Sequence, residues 1–155
     1  MSPALRFTTA ALSAFCFAVP LMAQAATCPE NDPAVTATMV EMYEAAKTDD
    51  INRFHEVTTP DFYTYDGGRV FKGDTLMTLL KTKHASGVKW EWSVTDPQVH
   101  ATCDTAWITY TNVGAMIDDK GRQPLTWVES ATLIKTDGQW RIRFFHSTRV
   151  PKPES

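Results

Sequence analysis

The dipeptide Asp137-Gly138 constrains this chain more than any other feature, because it stands between two runs in which apolar and polar residues alternate. Asp-Gly in that setting predicts a two-residue type I′ hairpin loop, whose positive φ angles match the twist of the flanking strands. A two-residue loop also fixes register. Thr136 is expected to face Gln139, Lys135 to face Trp140 and Leu133 to face Ile142, and the same count sets Ala131 against Phe144, Glu129 against His146 and Trp127 against Thr148. Side chains alternate across a strand, so from Lys135–Trp140 to Trp127–Thr148 the pairs share the apolar face. Ile134 with Arg141, Thr132 with Arg143 and Thr126 with Arg149 form the wetter one.

That register puts a carboxylate on an apolar face beside an imidazole, with β-carbons about 4.5 to 5.5 Å apart. An unpartnered carboxylate there is costly or takes up a proton, and His146 is its expected partner. Three roles stay open for Glu129 and His146: a polar pair bracing the sheet, an anchor for a ligand, or an acid-base couple. His55, His84 and His100 are expected on the surface. The sequence has no His, Cys or carboxylate spacing of a metal site, no nucleophile elbow, no P-loop and no dinucleotide fingerprint, so no cofactor is expected.

Ahead of the hairpin, Asp32-Pro33 marks a helix start, and Val35, Met39, Met42, Tyr43 and Ala46 recur at helical spacing. A short second helix follows the Asp49-Asp50 cap and buries Ile51, Phe54 and Val57. Phe62 to Tyr65 reads as a strand ended by Asp66-Gly67-Gly68, and Gly73-Asp74 opens a third helix with Leu76, Leu79 and Leu80 on one face. From Val88 onward the period is two, with Trp90, Trp92 and Val94 alternating with polar residues and Asp96-Pro97 as a bend. Three further strands run to Val150. Helices first and an antiparallel meander afterwards is an α+β order, with three helices covering one face of a curved sheet.

The N-terminus predicts export. One basic residue, Arg6, precedes an apolar run from Ala10 to Met22, and Ala23-Gln24-Ala25 supplies a cleavage site after Ala25. The run is 13 residues, against roughly 20 for a membrane span. Residues 1–25 are thus a signal peptide and residues 26–155 a single domain in the periplasm, with a core from about 33 to 150. Removing Arg6 leaves 14 basic and 18 acidic side chains, a net charge of −4 that argues against a nucleic-acid partner. The mature chain keeps two cysteines, Cys28 and Cys103, expected to form a disulfide in an oxidising compartment.

The order of helices, the strand ending in Tyr65-Asp66-Gly67-Gly68, and the closing segments Trp127-Val128-Glu129-Ser130 and Asp137 to Ser147 resemble the nuclear transport factor 2-like superfamily. Within it the chain is most similar to the SnoaL-like branch, which includes ketosteroid isomerases, and to the association domain of calcium/calmodulin-dependent kinase II. The resemblance implies a cone-shaped, cystatin-like fold with a pocket open at one end and a homodimer through the sheet. It also implies site residues. Tyr43, Glu129 and Asp66 fall near the positions where ketosteroid isomerases keep an oxyanion-binding tyrosine, an oxyanion-binding acid and a base. Tyr43 serves equally as core packing, and Asp66 as a turn residue.

A pocket protein for a small, partly apolar molecule is therefore expected, with Tyr43, Tyr65, Trp92 and Trp127 as aromatic walls and Glu129 with His146 as polar anchor. The alternatives are an acid-base isomerase or dehydratase, with Asp66 or His146 as base, and a pure oligomerisation domain.

Overall fold

Asp32 joins the two ends of the chain. Its carboxylate caps the first helix through the Ala34 amide at 3.0 Å, and it also accepts the Trp140 indole N–H at 2.8 Å, with Lys135 Nζ 3.6 Å away. The indole contact above all holds Asp32 below the usual carboxylate range. The start of the first helix is thereby pinned to the hairpin formed more than a hundred residues later.

The computed structural model describes residues 28–151. The proposed signal peptide lies outside the described residues. Among the described residues three helices, α1 (Pro33–Lys47), α2 (Ile51–Val57) and α3 (Gly73–Ala85), accompany seven strands. These are β1 (Thr58–Asp66), β2 (Arg69–Lys72), β3 (Lys89–Glu91), β4 (Val94–Ala101), β5 (Thr105–Asp118), β6 (Gly121–Thr136) and β7 (Gln139–Arg149). The sheet order is β2-β1-β7-β6-β5-β3, and β4 also pairs with β5. Every pairing is antiparallel except β1 with β7, which lie parallel. The α+β class holds, and two features exceed the sequence reading: β2, and the return of β1 to the far edge of the meander.

The core forms where α1 lies on the sheet. Val35, Met39, Met42 and Tyr43 bury one helix face against strand residues that include Ile108, Leu133 and Ile142, and Phe54 meets Phe62 edge to face at 5.4 Å. The Cys28–Cys103 disulfide closes a separation of 75 residues and fits an oxidising environment. On the chain-entropy model such a closure stabilises the fold by about 4 kcal/mol.

The hairpin turn forms as expected, with φ of 53° at Asp137 and 78° at Gly138. Its first pairs also follow the expected register, down to Leu133 with Ile142. Then it slips. A bulge at Arg143 sets Thr132 against Phe144, Ala131 against Phe145, Ser130 against His146 and Glu129 against Ser147. Glu129 therefore does not face His146, and a slip of one residue moves each later β7 side chain to the other face. The neighbouring strand is irregular at the same level. β1 pairs at Thr58 and next at Tyr63, lifting away around Pro60, which has no amide hydrogen to donate to a ladder. Arg143 reaches Asp61 of that lifted segment, 3.2 Å between Nε and Oδ2.

Gly114 is the tightest point of the meander. A β-carbon there would lie 1.9 Å from the Glu91 carbonyl oxygen, where β3 gives way to β4. No rotamer change relieves a clash with backbone, so Gly114→Ala is expected to lower unfolding free energy in urea by at least about 2 kcal/mol. A loss below about 0.5 kcal/mol would mean that this crossing is looser than described.

Candidate functional site

The slipped register gives Glu129 a different set of partners from the one expected. It is buried, 6% exposed, between β5 and β7 and beneath α1. Ser147 Oγ donates to Oε1 at 2.8 Å, Asn112 Nδ2 donates to Oε2 at 3.1 Å, and the Tyr43 phenol meets the same Oε2. Asn112 is itself oriented. Its Oδ1 accepts the Ser93 backbone N–H at 2.9 Å, so its amide nitrogen must turn toward the carboxylate. Behind Tyr43 stands Tyr110, 2.9 Å between the two hydroxyl oxygens.

Two opposing effects act on Glu129. Burial penalises its charge and is the larger, so the carboxyl sits above its ordinary range despite the lowering by Tyr43, Ser147 and Asn112. Burial also holds the Tyr43 and Tyr110 phenols well above theirs, so both keep their protons. The chain Tyr110–Tyr43–Glu129 thus has two proton arrangements. With Glu129 ionised, Tyr43 donates to it; with Glu129 protonated, the carboxyl donates to the Tyr43 oxygen and frees that phenol hydrogen for another acceptor.

This cluster forms one wall of a cavity of about 210 Å³. Trp90, Trp92 and Trp127 line it together with Phe54 and Phe145, Leu76, Leu79 and Leu80 of α3 contribute aliphatic wall, and Asp66 and Lys83 also line it. The Trp90 and Trp92 rings are parallel, with centroids 6.0 Å apart, and the Tyr43 ring is 5.3 Å from Trp92. Leu76 and Leu80 of α3 are thus both cavity wall and half-buried packing against the core, and among the helix's residues only Met77 is buried. Asp66, half-buried at the end of β1, is raised by burial against the lowering effects of the Gly67 amide and His146.

Of the expected site residues, Tyr43, Trp92, Trp127, Glu129 and Asp66 meet at this cavity. Tyr65 and His146 do not line it. Both are exposed on the outer face of the sheet, paired across β1 and β7 with ring centroids 6.3 Å apart, and Phe144 joins them there. Since Phe62, Thr64 and Asp66 turn inward on β1, Tyr65 must turn outward. His84 is half-buried rather than on the surface, with Nδ1 2.7 Å from Asp49 and its ring against Trp90. Among the described residues no group of three or more His, Cys, Asp or Glu is placed to hold a metal ion.

The sequence reading missed Ser147, Asn112, Tyr110 and Trp90 as cavity or network residues. Trp90 carried a signal, since it shares its alternation with Trp92. Ser147 and Asn112 carried none on their own; only the bulge brings Ser147 inward.

The sequence matches the family model described as a SnoaL-like domain over residues 35–151. No curated protein sequence matches the chain. Among solved structures, a protein of unknown function from Mycobacterium tuberculosis superposes with TM-score 0.69 at 20% identity, covering 78% of this chain and 77% of that one. A proposed dehydratase of the NTF2-like family from Streptomyces avermitilis superposes with TM-score 0.65 at 18% identity, covering 77% and 96%. The CaMKII hub of S. rosetta gives TM-score 0.64 at 20% identity, covering 76% and 95%. Likeness at these identities establishes the fold, while chemistry follows from the site.

The raised Glu129 has a consequence for stability. Between the ordinary carboxylate range and its raised value, the folded chain holds a proton that the unfolded chain has released, so this contribution is full at low pH and is lost as pH rises through the raised value. Glu129→Gln removes it. The urea midpoint of the wild type, less that of Glu129→Gln, is expected to fall as pH rises from the ordinary carboxylate range toward neutrality. A difference that stays flat or rises would contradict the burial account.

Proposed function

Because the chain belongs to the SnoaL-like domain family, whose fold serves many chemistries, we propose its function from the cavity: it is a receptor for a small, partly apolar molecule. The supporting observation is that Trp90, Trp92, Trp127 and the α3 leucines form an apolar chamber into which Tyr43, Glu129 and Asp66 present polar groups. Such a chamber binds by area removed from water and orients its guest through a few polar contacts. At about 210 Å³ it lies below the roughly 300 to 1,000 Å³ usual for drug-sized ligands. The guest is therefore small.

We take the mature chain to act in the periplasm, after cleavage behind Ala25, with residues 26–155 as one domain. We also take it to pair with a second copy through the outer face of the sheet. Tyr63, Tyr65, Trp107, Val113 and Val128 are exposed on that face, more apolar surface than an isolated sheet usually turns to water.

Acid-base catalysis is the second reading, and the placement of Asp66 favours it. Asp66 lines the same cavity as Tyr43 and Glu129, so a base and an oxygen-binding pair flank one guest. His146 plays no part in either reading. With the histidine on the other face, no cationic side chain among the described residues pairs with Glu129, and a protonated Glu129 can reinforce Tyr43 as a donor.

Cyclohexanone, small, apolar and carrying one oxygen, tests both readings. Trp92→Ala is expected to weaken its binding by at least about tenfold in calorimetry, whereas His146→Ala stays within about twofold. The receptor reading fails if the two variants weaken it equally or if the wild type does not bind it. For the catalytic reading, the wild type is expected to speed deuterium exchange beside the carbonyl in heavy water, with Asp66→Asn abolishing the effect. Binding without exchange leaves a receptor alone.

A further inference from the structure

We propose that the cavity selects an organic cation, a small protonated or quaternary amine, over a neutral or anionic molecule of the same shape. This rests on the reading of the cavity as a small-molecule site and names the class of guest. The wall facing α3 is aromatic rather than merely apolar. Trp90, Trp92 and Trp127 line it, the first two with parallel rings, and Tyr43 stands beside Trp92. An indole face carries negative charge density, so several around one chamber attract a cation, an effect that grows when water is excluded.

The second observation is the state of Asp66. Its carboxylate is half-buried on the same wall, and among the described residues no side chain forms a hydrogen bond or ion pair with it. Arg69 lies across the Gly67-Gly68 turn in the register without forming an ion pair with it, and His146 is on the outer face. Among the described residues no ion pair involves Asp66. Glu129 differs, because Tyr43, Asn112 and Ser147 all turn donors toward it. Among the described residues Lys83 is the one basic side chain on the cavity wall; it is exposed and forms no ion pair with Asp66. Asp66 therefore faces the chamber without a positive partner among the described residues. A cationic guest supplies one, its alkyl groups on the indoles and its charge toward Asp66.

Three molecules of one shape and three charges test this: choline, its uncharged carbon isostere neohexyl alcohol, and the anion tert-butylacetate, each titrated into the mature chain by calorimetry at fixed ionic strength. Choline is expected to bind at least about tenfold more tightly than neohexyl alcohol, and the anion least tightly. In Asp66→Asn that preference of choline over neohexyl alcohol should shrink toward equality. Trp90→Leu keeps an apolar wall without a π face, and it is expected to weaken choline several-fold more than neohexyl alcohol. Neohexyl alcohol or tert-butylacetate binding as tightly as choline overturns the charge preference and leaves the receptor reading standing. Failure of all three overturns it too, and if cyclohexanone also fails to bind, the receptor reading falls with it.

Discussion

A carboxylate buried beneath a helix must be surrounded by donors or give up its charge, and the architecture around Glu129 is arranged to meet that demand. Four elements contribute. β6 carries the acid, β7 brings Ser147, β5 brings Asn112, and α1 lays Tyr43 across the top. Each alignment has its own fixing device: the Arg143 bulge turns Ser147 inward, the Ser93 amide orients Asn112, and Asp32 holds the start of α1 against Trp140. The network fails if any one of these slips, since a lone donor cannot offset the loss of water around a buried charge.

The same arrangement leaves space unfilled. The junction of β3 and β4, where Gly114 lets the Glu91 carbonyl approach closely, brings Trp90 and Trp92 to the cavity wall, and the leucines of α3 line it as well. A solvated acid would offer a guest nothing that water does not. Within an apolar chamber, Tyr43 with Glu129 and the separate Asp66 become groups whose proton positions respond to whatever enters. Asp66 and Glu129 differ in kind, the one thinly partnered and the other surrounded, so they are suited to different parts of a guest.

Much of this was legible from the residues. Asp137-Gly138 announced its turn and the first pairs beyond it, Asp32-Pro33 announced α1, and the tryptophan alternation announced a wall. The Phe144-Phe145 pair hid the rest. Two adjacent aromatics let the inward set continue through either residue, so alternation alone does not say which turns in, and strict counting chose Phe144 where the fold uses Phe145. A bulge answers to neighbours distant in sequence, here the lifted segment of β1 around Pro60 and the donors waiting for Glu129. His146 was displaced by that one step, whereas Tyr65 faces outward because Phe62 and Thr64 take the inward positions of β1. β2 escaped notice because four residues after a Gly-Gly turn give too short a pattern to separate from loop.

The residue that Glu129 faces decides the site, and cross-strand nuclear Overhauser effects between backbone protons of β6 and β7 report that directly. They are predicted to pair Leu133 with Ile142 near the turn, then, past Arg143, Ala131 with Phe145 and Glu129 with Ser147. Contacts that continue the unslipped count, Ala131 with Phe144 and Glu129 with His146, would return the histidine to the cavity and contradict the site described.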